Sequence, residues 1–293
     1  IELKKEDPKL KTERTRFYEI YELSTRFFEK QLELSKSGEE VKKAQDRMMF
    51  EKMYTLQIEA LSRKQEWQGT VQERLKTPMD IDLIKSLFSS LKFTPTGSQK
   101  VAIYEILKDM EREFPMSRLL EGDVGSGKTL VAVAVMANVL RHSGQCALMV
   151  PTEVLARQHA EGISRLLLHF HSFMQSEGKK MPFHLPRVML LTGSTVRSEA
   201  ESIKGGLAAG TVDIVIGTHA LIEDDVQFRD LRLVIVDEQH RFGVLQRQRL
   251  RDKGSPHFLS MTATPIPRTL ALTAYGDHDL SVLLEKPGRR QAI

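Results

Sequence analysis

The chain has 293 residues, room for about two domains at roughly 150 residues each, and 41% of it is hydrophobic and 28% charged. That balance excludes a disordered or fibrous chain. Its 43 Lys and Arg against 39 Asp and Glu leave a formal charge of +4, a mild lean toward polyanionic partners.

The single cysteine, Cys146, excludes an internal disulfide or a cysteine zinc site, and a reducing compartment, the cytoplasm, is the expected location. No apolar stretch reaches the roughly 18 residues of a membrane span, and the start Ile1-Glu-Leu-Lys-Lys is too charged for a signal peptide. No membrane partner is expected. The chain begins without Met and reads as a piece of something longer.

Residues 1–90 form the first expected region. Apolar positions recur at helical spacing, first Phe17, Ile20, Tyr21 and Leu23, then Met49, Phe50, Met53, Tyr54, Leu56 and Ile58, so long amphipathic helices are predicted. Over residues 1–70 there are 15 Lys and Arg against 14 Asp and Glu, which makes this a solvated surface and no basic clamp. Ser37-Gly38 breaks one helix from the next, and Thr77-Pro78 opens a segment ending near Leu91.

From Phe93 the texture becomes short apolar runs between helical stretches. Strands are predicted over 118–121, 146–150, 188–191, 213–216, 233–236 and 258–261, and helices over 130–141, 153–170, 197–207 and 245–252. The stretch 171–185, with Ser, Gly, Lys-Lys and prolines, reads as a surface insertion. Alternation of this kind predicts an α/β domain over 91–285 whose parallel sheet is covered by helices on both faces. Ligands of such sheets sit at the carboxyl ends of the strands.

One such end carries Gly122-Asp-Val-Gly125-Ser126-Gly127-Lys128-Thr129, a full match to G-x-x-x-x-G-K-[ST] between a predicted strand and helix. The glycines let backbone N–H groups close around phosphates, and the helix N-terminus adds partial positive charge. Lys128 is expected to reach the β and γ phosphates of ATP, and the Thr129 hydroxyl to ligate Mg²⁺. A site of this kind needs an acidic partner, and Leu233-Val-Ile-Val-Asp237-Glu238-Gln239-His240 supplies it: Asp237 for Mg²⁺, Glu238 to orient and polarise the attacking water.

Asp237-Glu-Gln-His240 after an apolar strand resembles motif II of the superfamily 2 helicases, and further motifs follow. Met261-Thr262-Ala-Thr264 resembles motif III, which couples the nucleotide and nucleic-acid sites. Pro151-Thr152-Glu-Val-Leu-Ala-Arg157-Gln158-His159 resembles motif Ia, while Thr192-Gly193-Ser194 and Gly217-Thr218-His219-Ala-Leu221 resemble the loops that touch the phosphodiester backbone. Gln99 stands where the family has its adenine-reading glutamine. The strings Asp237-Glu-Gln-His-Arg-Phe-Gly-Val244 and Met261-Thr-Ala-Thr-Pro-Ile-Pro-Arg268-Thr-Leu270 are similar to the RecG family of branched-DNA helicases over about 48–290. The chain departs from that pattern at Pro95 and Glu121, where Leu and Gln are usual.

The resemblance implies a RecA-like P-loop NTPase domain, preceded by the helical region, that uses ATP and Mg²⁺ to remodel branched or double-stranded DNA without reading its sequence. It also implies a wedge domain and a second RecA-like domain with an arginine finger as partners. No Gln-x-x-Gly-Arg-x-x-Arg pattern occurs here, and 286–293 reads as the start of a linker to that domain. By the same resemblance Gln239 and His240 complete the catalytic motif, with His240 bonding Thr262 or Thr264, and Arg268 joins the coupling residues. An Mfd-like translocase shares several of these strings but usually has Glu in place of Gln239. A nucleotide-binding scaffold without motor activity is the third reading, against which the intact Glu238 argues. His159 and His219 read equally as structural histidines or phosphate contacts, Phe93 as a core residue or an adenine stack, and Arg241, Arg247, Arg249 and Arg251 as a solvated face or a contact to the second domain.

Overall fold

A computed structural model describes residues 38–68, 73–238, 242–263 and 278–285. Helix α1, Gly38–Gln68, begins at the expected Ser37-Gly38 break. Along it Met49, Phe50 and Tyr54 are exposed, while the earlier apolar positions Phe17, Ile20, Tyr21 and Leu23 lie outside the described residues. After a short 3-10 turn at Glu73–Leu75 come α2, Ile81–Ser90, and α3, Gly97–Met110, each started by a side-chain cap. Asp80 accepts from Leu83 N in the first, and Thr96 and Gln99 form a reciprocal capping box in the second.

The remaining elements alternate as predicted: β1 Ser117–Gly122, α4 Lys128–Arg141, β2 Gln145–Met149, α5 Glu153–Ser176, β3 Val188–Leu191 and α6 Arg197–Ala209. Then follow β4 Ile214–Gly217, a 3-10 turn His219–Ile222, β5 Leu231–Asp237, α7 Val244–Asp252, β6 His257–Thr262 and β7 Asp279–Leu283. All six predicted strands are present. The sheet has seven strands in the order β3-β4-β2-β5-β6-β1-β7, every pair parallel.

Burial explains the charge-free runs. Every residue of β2, β4 and β6 is buried, as central strands covered on both faces require. Residues 130–140 of α4 are all buried, so this helix is apolar all round. Leu83, Ile84 and Leu87 of α2 join the same core as α4 and β2.

Two expectations fail on physical grounds. Helix α5 runs on to Ser176 because Phe170 and Met174 continue its buried stripe, so the expected insertion is helical over its first six residues. The seventh strand, β7, was not foreseen; it adds to the outer side of β1 and buries Ser281 and Leu283. Among the described residues no helix is long and apolar enough to cross a membrane.

Candidate nucleotide and nucleic-acid site

Because all strands are parallel, every loop singled out in the sequence lies along one edge of the sheet. The sheet order sorts them. Thr192 follows β3, Thr218 follows β4 and Thr152 follows β2, so the residues expected to touch nucleic acid occupy one half of that edge. Asp237 ends β5, Thr262 ends β6 and Gly122 ends β1, so the nucleotide residues occupy the other half. The halves meet between β2 and β5.

The phosphate loop is held open by conformations that only glycine adopts cheaply. Gly125 and Gly127 have φ of 83° and 84°, and a Cβ on Gly127 would overlap the amide nitrogen of Gln99. Gly122 has no room for a Cβ between Ser126 and Leu283. The Lys128 ammonium folds over the loop, donating to the Gly122 carbonyl at 2.6 Å and to that of Asp123 at 3.3 Å. Burial pushes its pKa below the ordinary lysine value, while the carboxylates of Asp237, Glu238 and Asp123 pull it back up. The Asp237 and Glu238 carboxylates therefore act on Lys128 from the far side of β6. Thr129 stands on the first turn of α4.

Gln99 differs most from its expected role. It is fully buried: its Nε2 donates to the Ser126 carbonyl at 2.7 Å and its Oε1 accepts from Thr96 N at 2.9 Å. The carboxamide thus braces the phosphate loop against the start of α3. Phe93, by contrast, is 47% exposed and lines a cavity with Lys92, Thr94, Pro95 and Lys100.

Both oxygens of Asp237 are engaged. Oδ1 accepts from Glu238 N at 3.0 Å, and Glu238 itself is in the left-handed conformation, φ 51°. Oδ2 lies 3.0 Å from His159 Nε2. His159 was left undecided by the sequence, and no spacing signal links it to a residue 78 positions away.

On the other half, Thr192 and Thr218 are 4% and 3% exposed, their hydroxyls turned into the protein. Thr152 spends its hydroxyl capping α5. Arg157, Gln158, Gly193 and His219 remain at the surface. Glu153 ties the two loops together, accepting from Ser194 N at 3.1 Å and from Ser194 Oγ at 2.6 Å. That pairing was not foreseen either. Gln239, His240, Arg241, Thr264, Arg268 and the linker 286–293 lie outside the described residues.

The family model described as DEAD/DEAH box helicase matches residues 96–273, more than half of the chain. The chain belongs to the DEAD/DEAH box helicases. Members of this family use ATP. Within it the chain is 42% identical over 251 residues to the ATP-dependent DNA helicase RecG of Aquifex aeolicus, and 46% identical over 242 residues to that of Staphylococcus epidermidis. These matches cover 84% and 82% of this chain but only 30% and 33% of the relatives, so the chain spans about a third of their length. A solved structure of RecG bound to a three-way DNA junction matches at TM-score 0.67 and 39% identity, over 86% of this chain and 32% of that one. This DEAD/DEAH box helicase domain is thus similar to about a third of RecG, and its sheet is the RecA-like helicase fold.

Proposed function

We propose that this chain is the ATP-binding motor domain of a RecG-like enzyme that remodels branched DNA. The observation that carries the reading is the single sheet edge on which the phosphate loop and Asp237-Glu238 flank β6, beside the motif Ia-like loop after β2 and the loops after β3 and β4 that resemble the backbone-touching ones. The likeness to a RecG bound to a three-way DNA junction supports branched DNA as the substrate class, and an Mfd-like role or a passive scaffold has no comparable support.

In this reading the loop N–H groups and Lys128 bind the β and γ phosphates of ATP, and Gln99 keeps the loop in shape for them. Thr129 and Asp237 hold Mg²⁺. The donors fit that ion, which takes one or two hard oxygen ligands from protein and the rest from phosphate and water. The buried Ser126 hydroxyl, which has no hydrogen-bond partner, gives the cradle a further polar group. When bound, Mg²⁺ neutralises charge on the β and γ phosphates. Glu238 orients the attacking water, and Gln239 and His240 complete the motif. Thr262, Thr264 and Arg268 link this half to a second RecA-like domain, which would supply an arginine finger. DNA is held through its backbone by Arg157, Gln158, His219 and the N–H groups around Thr152, Thr192, Gly193 and Thr218, without sequence readout.

A chimera in which this segment replaces the matching segment of a RecG tests the proposal. It should reverse model forks with ATP, and Lys128→Ala in the chimera should abolish the activity. A folded chimera that binds ATP but leaves forks untouched would overturn the motor reading.

A further inference from the structure

The boundary between the two halves of the sheet edge is crossed by a side-chain contact. Helix α5 starts at Thr152 and Glu153 on the nucleic-acid side, and His159 follows seven residues, about two turns, later on the stripe that includes the buried Ala156. Its ring reaches Asp237 at the end of the neighbouring strand, 3.0 Å from Nε2 to Oδ2. Both side chains are nearly enclosed, at 13% and 12% exposure. A carboxylate can only accept, so Nε2 carries the hydrogen.

The local geometry makes that bond consequential. Asp237 Oδ1 is already tied to the backbone N–H of Glu238, so this tie and the imidazole together fix the orientation of the carboxylate. Ligating carboxylates depend on such outer partners, whose removal typically costs about 10–100-fold in metal affinity. We infer that His159 is a positioning residue for Asp237: its Nε2–H holds the carboxylate in the orientation that receives Mg²⁺, and it does so from the helix that begins in the nucleic-acid half. This rests on the assignment of Asp237 to Mg²⁺ made above.

The test is titration of the 293-residue chain with a fluorescent ADP analogue, once in excess Mg²⁺ and once in EDTA. His159→Leu keeps the volume and removes the donor; it should weaken binding about tenfold in Mg²⁺ and leave binding in EDTA unchanged. His159→Gln, which can present an amide N–H to the same oxygen, should recover most of the loss. In an Asp237→Ala background His159→Leu should have no further effect, because its partner is gone.

Equal binding by His159→Leu and the parent chain in Mg²⁺ would overturn the inference. So would an equal loss in EDTA, a Gln variant no better than Leu, or unfolding of both variants, each of which assigns His159 to the fold instead. If Asp237→Ala alone keeps full Mg²⁺ dependence, the Mg²⁺ assignment itself fails, whatever His159 does.

Discussion

The Gln99 carboxamide donates to the Ser126 carbonyl at 2.7 Å, so the start of α3 and the phosphate loop are joined by one buried side chain. A loop that must wrap phosphates needs its shape fixed before the ligand arrives, and this bond does so from beneath.

Gln99→Ala should therefore act on fold and ligand together. It strands the Ser126 carbonyl and removes one of the two bonds of the α3 capping box, that from Thr96 N, at a cost of about 1–3 kcal/mol. Chemical denaturation should read that loss, and calorimetry should find weaker ADP binding. Gln99→Glu should bind more weakly still, because an ionised carboxylate cannot donate to a carbonyl.

The Arg118 guanidinium ties β1, α3 and β7 together. Its Nη2 and Nε reach Asp109 Oδ2 at 2.7 and 2.9 Å, and its Nη1 reaches Ser281 Oγ at 2.8 Å. Arg118→Met leaves the buried Asp109 with the half-exposed Arg112, 3.1 Å from its other oxygen, as its remaining cation, so the loss should fall below the about 3–5 kcal/mol of a fully unpaired buried charge. Urea unfolding should show that loss, and the double variant Arg118→Met with Asp109→Leu should regain most of it.

Glu153 gives a pH signature. Its hydrogen bond from the Ser194 hydroxyl holds its carboxyl below the ordinary glutamate value, with partial burial opposing and the Ser194 N–H adding to the effect. A depressed folded pKa contributes stability above the unfolded value, and that contribution fades only as pH falls through the lowered one. Glu153→Gln should thus melt lower than the parent at neutral pH, with the gap closing only on the acid side of the ordinary glutamate range.

Cys146 should be silent in the folded chain. It is fully buried in β2, and burial pushes its thiol far above the ordinary value. A thiol reagent at mildly alkaline pH should modify it only as fast as the chain opens, so labelling in rising urea should follow the unfolding curve. Rapid labelling without denaturant would contradict the packing around β2.

How far the sequence reached depended on whether a feature was local. Short apolar runs located six strands, and the several without a charge pointed to strands covered on both faces. The phosphate loop was legible because its glycines and lysine are consecutive. β7 was missed, since Asp279-Leu-Ser-Val-Leu283 is short and its place beside β1 is set by pairing rather than by composition. The contacts of His159 with Asp237 and of Glu153 with Ser194 depend on strand order, which brings β2 between β4 and β5. Gln99 was recognised by position, but its inward turn comes from the cap it completes.

The strand order also fixes a distance. From β4 to β1 there are four strand intervals, which at about 4.8 Å each separate Thr218 from Gly122 by roughly 19 Å. The Debye length at physiological ionic strength is about 8 Å. Charges bound in the two loops would therefore barely sense each other through solvent. Any signal between them has to travel as displacement of packed atoms, along strands and helices stiff enough to carry it.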